Sequence, residues 1–131
     1  MALAIHYAAN PRIRIDDDPS LLWSYRFGRC LFGATHGHTM KPEAVAMLLA
    51  TDRPQDWGET CFRHFFFGHI HHDTGREVGG VRVESFGTIA GKDAFAHGGG
   101  WRAGHSLPAL TFHQDEGPKG RHYVNFVPRA A

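Results

Sequence analysis

No apolar run in these 131 residues approaches the ~20 needed to cross a membrane, and the amino terminus, Met1-Ala2-Leu3-Ala4-Ile5, has no basic leader. Charge of one sign is also missing. Lys and Arg total 14 against 13 Asp and Glu, and no like-charged block is longer than Asp16-Asp17-Asp18, so nothing argues for nucleic acid or an anionic membrane as partner. Cysteine is scarce: Cys30 and Cys61 each stand in an apolar, strand-like run outside any C-x-x-C pattern, and are expected to be reduced core residues. These absences predict a soluble, cytoplasmic chain. The length suits one domain, which buries about two-thirds of its unfolded surface without covalent staples.

What is abundant is histidine, glycine and phenylalanine, at 11, 16 and 10 residues. Two histidine pairs organise the chain: His36-Gly37-His38, and Gly68-His69-Ile70-His71 about thirty residues later. Residues two apart on an extended backbone project to the same side, so each pair can aim two imidazoles at one point. Neutral imidazole is the commonest protein ligand for zinc, manganese and iron, which makes a metal site the first expectation. Isolated histidines carry less weight, and His6, His64, His105, His113 and His122 are read as ordinary polar or core residues. His72, out of phase with His71, is read as outward-facing.

Along the chain, residues 2–9 resemble a short helix ended by Asn10-Pro11. The alternation in residues 12–16 predicts a half-buried strand. Residues 23–27 and 30–34 predict a hairpin turning at Gly28-Arg29, with His36 at the carboxyl end of its second strand, where open α/β sheets place ligand sites. Residues 44–50 read as a helix after Pro42, residues 55–60 as a further helical turn, and residues 62–67 as a strand entering Gly68-His69. Strand, helix, strand makes a βαβ-like unit with a histidine pair at each strand end. Gly79-Gly80 predicts a tight turn into a strand at 81–86, and residues 87–104 a loop with a helical turn at 93–97. A last hairpin is expected from 109–113 and 122–127, with its loop through Gly117 to Gly120. Trp57 and Phe65, Phe66 and Phe67 are expected in the core, and Lys41 in solvent at a helix start.

The two motifs, Gly33-x-Thr35-His36-Gly37-His38 and Gly68-His69-Ile70-His71, resemble the last two signatures of the calcineurin-like metallophosphoesterases, particularly the small phosphodiesterase branch of bacterial and phage-type enzymes. Lys41-Pro42-Glu43 after the first motif and Pro54 to Trp57 before the second fit the same phrase. The resemblance implies an αββα sandwich holding two divalent ions, bridged by an Asp and by a water or hydroxide that attacks phosphorus. It implies that His36 and His69 bind one ion and His71 the other, while His38 faces the scissile phosphate. Asp93 and His97, four apart in the loop that reaches over the family's site, are expected to contact substrate or to support a ligand. Ions about 3.5–4 Å apart clamp both the attacking and leaving oxygens of such a displacement.

The family's amino-terminal motifs, D-x-H, G-D-x-x-D and G-N-H-D/E, have no counterpart here. The expected fold is therefore α/β: half of a metallophosphoesterase sandwich, a mixed sheet with few helices, over residues 1–131 as one domain resembling the family's carboxyl-terminal half. The helix at residues 2–9, which has no N-cap, is expected to follow directly on the missing G-N-H motif. Four family ligands, the bridging Asp included, are absent, so one divalent ion (Mn, Zn or Fe) or none is expected where the family holds two. Three histidines with an open position suffice for one ion, as in mononuclear hydrolytic zinc sites.

Three functions follow. The first is a metal-dependent phosphoesterase with a phosphoester substrate, weakly active unless the missing amino-terminal half is supplied. The second is a non-catalytic, truncated metal-binding domain that covers its unpaired sheet by homo-oligomerising. The third is a cupin-like metal protein, since His36-x-His38 with Glu43 imitates H-x-H-x(3,4)-E.

Overall fold

The structure, a computed structural model, describes residues 2–89 and 105–126. Its elements are α1 (Ala2–Tyr7), β1 (Leu22–Phe27), β2 (Cys30–Thr35), a 3-10 turn (Pro42–Ala44), α2 (Val45–Asp52), α3 (Pro54–Glu59), β3 (Phe62–Phe67), β4 (Thr74–Val78), β5 (Val81–Ser85), β6 (His105–His113) and β7 (Gly117–Phe126). A five-stranded sheet has the order β1-β2-β3-β5-β4, and β6 pairs with β7 as a separate hairpin. The fold class is the expected α/β one, a mixed sheet with few helices. β2, β3 and β5 run parallel at its centre, and β1 and β4 flank them antiparallel.

The two faces of the sheet differ because the side chains alternate. Leu31, Phe65, Phe67, Val81 and Val83 point to one face and form the buried cluster with Val45 and Leu49 of α2. Each such side chain contributes about 1.5–3 kcal/mol by leaving water. Gly33 in β2 makes room for this packing: a Cβ there would stand 2.5 Å from the Phe65 ring and 3.2 Å from Leu49. Arg63 fixes α3 against the sheet, donating to the carbonyls of Trp57 and Thr60 while its guanidinium stacks 3.9 Å over the Trp57 ring.

On the other face stand Phe32, His64, Phe66 and Glu84, and the β6-β7 hairpin lies against them. Phe112 meets the rings of Phe32 and His64 edge-on at 4.8 Å. A backbone bond holds the hairpin's turn to the turn between β1 and β2, with Arg29 N–H donating to the Gln114 carbonyl at 2.7 Å.

Several expectations change. Residues 12–16 form no strand; they alternate correctly, but among the described residues they pair with no strand to complete a ladder. The last hairpin turns earlier than expected, at 114–116, because Gly117 (φ +76°) opens β7 with Phe62 packed where a side chain would be. Cys30 is buried as expected, but Cys61 is exposed, and both are free thiols. Phe65 and Phe67 are buried, while Phe66 and Trp57 are half-buried. The loop helix expected at 93–97, with Asp93 and His97, lies outside the described residues. Among the described residues no helix is long and apolar enough to cross a membrane.

Candidate metal and phosphoester site

β2 and β3 lie in parallel register, Thr35 opposite Phe67, so the residues that follow them emerge side by side. The Gly68 N–H donates to the Thr35 carbonyl (3.3 Å), continuing the ladder one step past the strands, and the Thr35 hydroxyl donates to the Leu21 carbonyl (2.9 Å). Both histidine motifs therefore leave a fixed platform. Gly37 takes φ +99°, open to glycine, and its missing Cβ leaves space 3.0 Å from the Phe67 ring. Gly68 passes under His36, where a Cβ would sit 3.3 Å from the His36 carbonyl oxygen and 3.6 Å from its Nδ1.

The second loop is strained. His69 has φ +65° and His71 has φ +53°, and they are the only non-glycine residues of positive φ among the described residues. The Ile70 N–H donates to the Gly68 carbonyl at 2.8 Å across His69. A hydrogen bond spanning three residues with positive φ at the centre marks the rarer, more strained form of γ-turn. Downstream, the Ser85 hydroxyl donates to the His72 carbonyl (2.8 Å), so the Thr74 hydroxyl must be the donor in its 2.6 Å contact with Ser85. The loop is thus tied to β4 and β5 beyond the histidines.

Three of the four motif imidazoles converge. Ring centres are 5.2 Å apart for His36 and His38, 5.0 Å for His36 and His69, and 6.2 Å for His38 and His69. Metal–nitrogen distances of about 2.0–2.1 Å put the ring centres of two imidazoles on one tetrahedral ion roughly 5 Å apart, a spacing that His36 and His69 match and His38 and His69 exceed. As the side chains stand, no group of three or more His, Cys, Asp or Glu is gathered to hold a metal among the described residues. His36, His38 and His69 are all exposed. His71 makes no ring contact with the trio, and His72 is exposed with its carbonyl bonded to Ser85.

The other histidine of β3 has a different setting. His64 is 8% exposed, packed between Phe32, Phe66 and Phe112, with its buried Nδ1 unbonded and 4.0 Å from the Glu84 carboxylate. Burial holds its pKa below the ordinary histidine value against the pull of Glu84. Glu84 is itself buried, and it accepts from Arg121 of the hairpin and, at 3.3 Å, from Arg82. No local sequence pattern announces this polar cluster under the hairpin, since Glu84 and Arg121 are 37 residues apart. Glu43, the would-be cupin ligand, lies in a helical turn and accepts from Arg76 at 2.6 Å beside an open sheet, which removes the cupin alternative.

No protein-family model matches the chain and no curated protein matches it significantly. Among solved structures, it is similar to a single mutant of Vps29 from Entamoeba histolytica, with TM-score 0.51 and 17% identity, over 88% of this chain and 66% of that one. Vps29 has the calcineurin-like metallophosphoesterase fold, and at this identity the likeness shows the fold alone. The chain spans 66% of that protein's length.

Proposed function

We propose that the chain carries the histidine-bearing part of a metal-dependent phosphoesterase centre, for phosphomonoesters or phosphodiesters, and turns over slowly by itself. One observation carries this reading: three imidazoles converge at the ends of two parallel strands, beside a loop that holds two histidines in left-handed conformations. Such strained residues cluster at ligand sites, where the surroundings hold them in place. His36 and His69 are assigned to one divalent ion, Mn, Zn or Fe. His38, with its ring centre 5.2 and 6.2 Å from theirs, is assigned to the phosphoryl oxygens, donating a hydrogen bond as charge develops there. His71 is assigned to metal by the family resemblance only. A bound ion supplies Lewis acidity and a nucleophile near neutral pH; the chain's part is to hold the imidazoles on the strand platform. A second ion requires ligands from a segment like the one that carries the family's amino-terminal motifs.

Metal analysis of the His36→Ala, His69→Ala, His71→Ala triple variant tests the reading, with bound zinc or manganese expected to be lost. Metal content equal to the parent's would remove it. Turnover of bis(p-nitrophenyl) phosphate is expected to be slow, and a fast metal-dependent rate abolished by His38→Ala would show that the centre is complete within this chain.

A second reading, a non-catalytic metal-binding domain that pairs with its own copy, is favoured by the outermost strand. On β1, Trp23, Tyr25 and Phe27 are 40%, 51% and 38% exposed, next to a backbone edge that no strand pairs among the described residues. Light scattering is expected to give twice the monomer mass under this reading; a stable monomer excludes it.

A further inference from the structure

Next to the histidines lies an unassigned cavity of about 380 Å³, at the lower end of the range of small-molecule pockets. Its floor is apolar, built by Phe67, Val83, Met40 and Ile70, and Arg76 stands at its polar side. The residues that interleave with the motif histidines also line it: Gly37 lies between His36 and His38, Gly68 precedes His69, and Ile70 separates His69 from His71. The same two loops therefore carry the imidazoles and close one wall of the cavity. The motif histidines do not themselves line the cavity; their neighbours in the two loops do.

We propose that this cavity is the ester-group pocket of the site and selects phosphoesters bearing a flat aromatic or heteroaromatic substituent over those with a small alkyl group. This rests on the phosphoesterase reading above. The occupant follows from the lining. Phe67, Val83, Met40 and Ile70 offer a water-excluding surface to a ring and nothing to a hydrated sugar or a second phosphate. The Ser85 hydroxyl donates to the His72 carbonyl and the Thr74 hydroxyl to Ser85, so both can only accept from a ligand. The Glu84 carboxylate already accepts from Arg82 and Arg121, which leaves Arg76 as the charged side chain able to donate at the lining. Arg76 is held by Glu43 in a solvent-exposed ion pair, which contributes little to stability and opens readily to let the guanidinium stack on a ring or meet a phosphoryl oxygen.

The test compares 1-naphthyl phosphate, methyl phosphate and 1-naphthol as ligands of the zinc-supplemented chain by calorimetry. Naphthyl phosphate is expected to bind at least about tenfold more tightly than methyl phosphate. Thr74→Phe, which places a ring in the cavity from the rim strand β4, is expected to bring that ratio down to about one. Equal affinity of the two phosphates in the parent chain, or a ratio untouched by Thr74→Phe, would overturn the proposal. If Thr74→Phe fails to fold, Met40→Ala, which strips the floor from the side of α2, is expected to lower the ratio several-fold, and an unchanged ratio again overturns it. Zinc content and naphthol binding separate this failure from failure of the underlying reading. A chain that binds zinc and both phosphates equally has the site without the pocket; a chain that binds naphthol and neither phosphate, with no zinc, has the pocket without the site, and the proposal falls with that reading.

Discussion

The middle of β3 and the loop that follows it carry histidines of opposite character, five residues apart. His64 is sealed between aromatic rings, and its burial lowers its pKa and so favours the neutral form. His69 stands exposed, on a backbone forced to positive φ, against two other imidazoles. Residue type does not distinguish them; position along the strand does. Within the sheet the ladder supplies every backbone partner and neighbouring strands supply the packing, so a histidine there serves the fold. Where the ladder ends, the backbone is free to take a costly turn, and a histidine there is, under the proposed function, placed for a ligand at the expense of stability.

The largest effects expected from substitution should therefore fall on the strand and spare the loop. Phe65→Ala, at the centre of the core cluster, is expected to lower the unfolding free energy by about 3–5 kcal/mol, while exposed His36→Ala should change it by less than about 0.5 kcal/mol. Denaturant titrations of the two variants measure the contrast, and comparable losses would erase it. Next in size is the cluster beneath the hairpin. Arg121→Leu leaves the buried Glu84 carboxylate with Arg82 alone, at an expected cost of about 1–3 kcal/mol. Adding Glu84→Leu should recover most of that loss, because the charge left without its partner is then gone. No recovery in the double variant would mean that the hairpin is held by apolar contact rather than by this pair.

How much of this was legible follows from the same contrast. The hairpins at Gly28-Arg29 and Gly79-Gly80, the parallel β2–β3 unit and the two strand-end histidine motifs were readable, since each is a local pattern of turn residues and side-chain period. The strand expected at 12–16 had the right period and no neighbour, which is a tertiary fact. The left-handed turn at His69 was hidden because no glycine advertises it. The convergence of His38 with His36 and His69, leaving His71 apart, depends on that turn and was equally out of reach. Cys61 looked like a core residue by its apolar neighbours, yet it precedes β3 and is exposed.

A smaller effect should appear with pH. The folded pKa of His64 lies below its unfolded value of about 6.5. Above about pH 6.5 the imidazole is neutral in both states and the full stability is present. As pH falls from there toward the folded pKa, the unfolded chain takes up a proton that the folded chain refuses, and stability declines. Glu84 opposes this trend, and Arg82 and Arg121 reinforce it. His64→Phe should flatten the stability profile below pH 6.5, as read from melting curves; an unaltered slope would assign the acid sensitivity to other groups.

The smallest change is the most discriminating, because its sign is opposite. A histidine in the left-handed region costs about 1–3 kcal/mol of backbone strain, part of which glycine gives back through its greater freedom in the unfolded chain. His69→Gly is therefore expected to raise stability by roughly 0.5–1 kcal/mol while abolishing bound zinc. His69→Ala, which keeps the strain and loses the ring, should abolish zinc without the gain. A thermal melt and a metal measurement on the two variants separate backbone from imidazole. If His69→Gly melts lower than its parent, the turn is not strained, and the link between its unusual conformation and ligand binding has no support. If it melts higher and binds no zinc, the stability forgone at the end of β3 is the cost of holding an imidazole where the fold alone would place glycine.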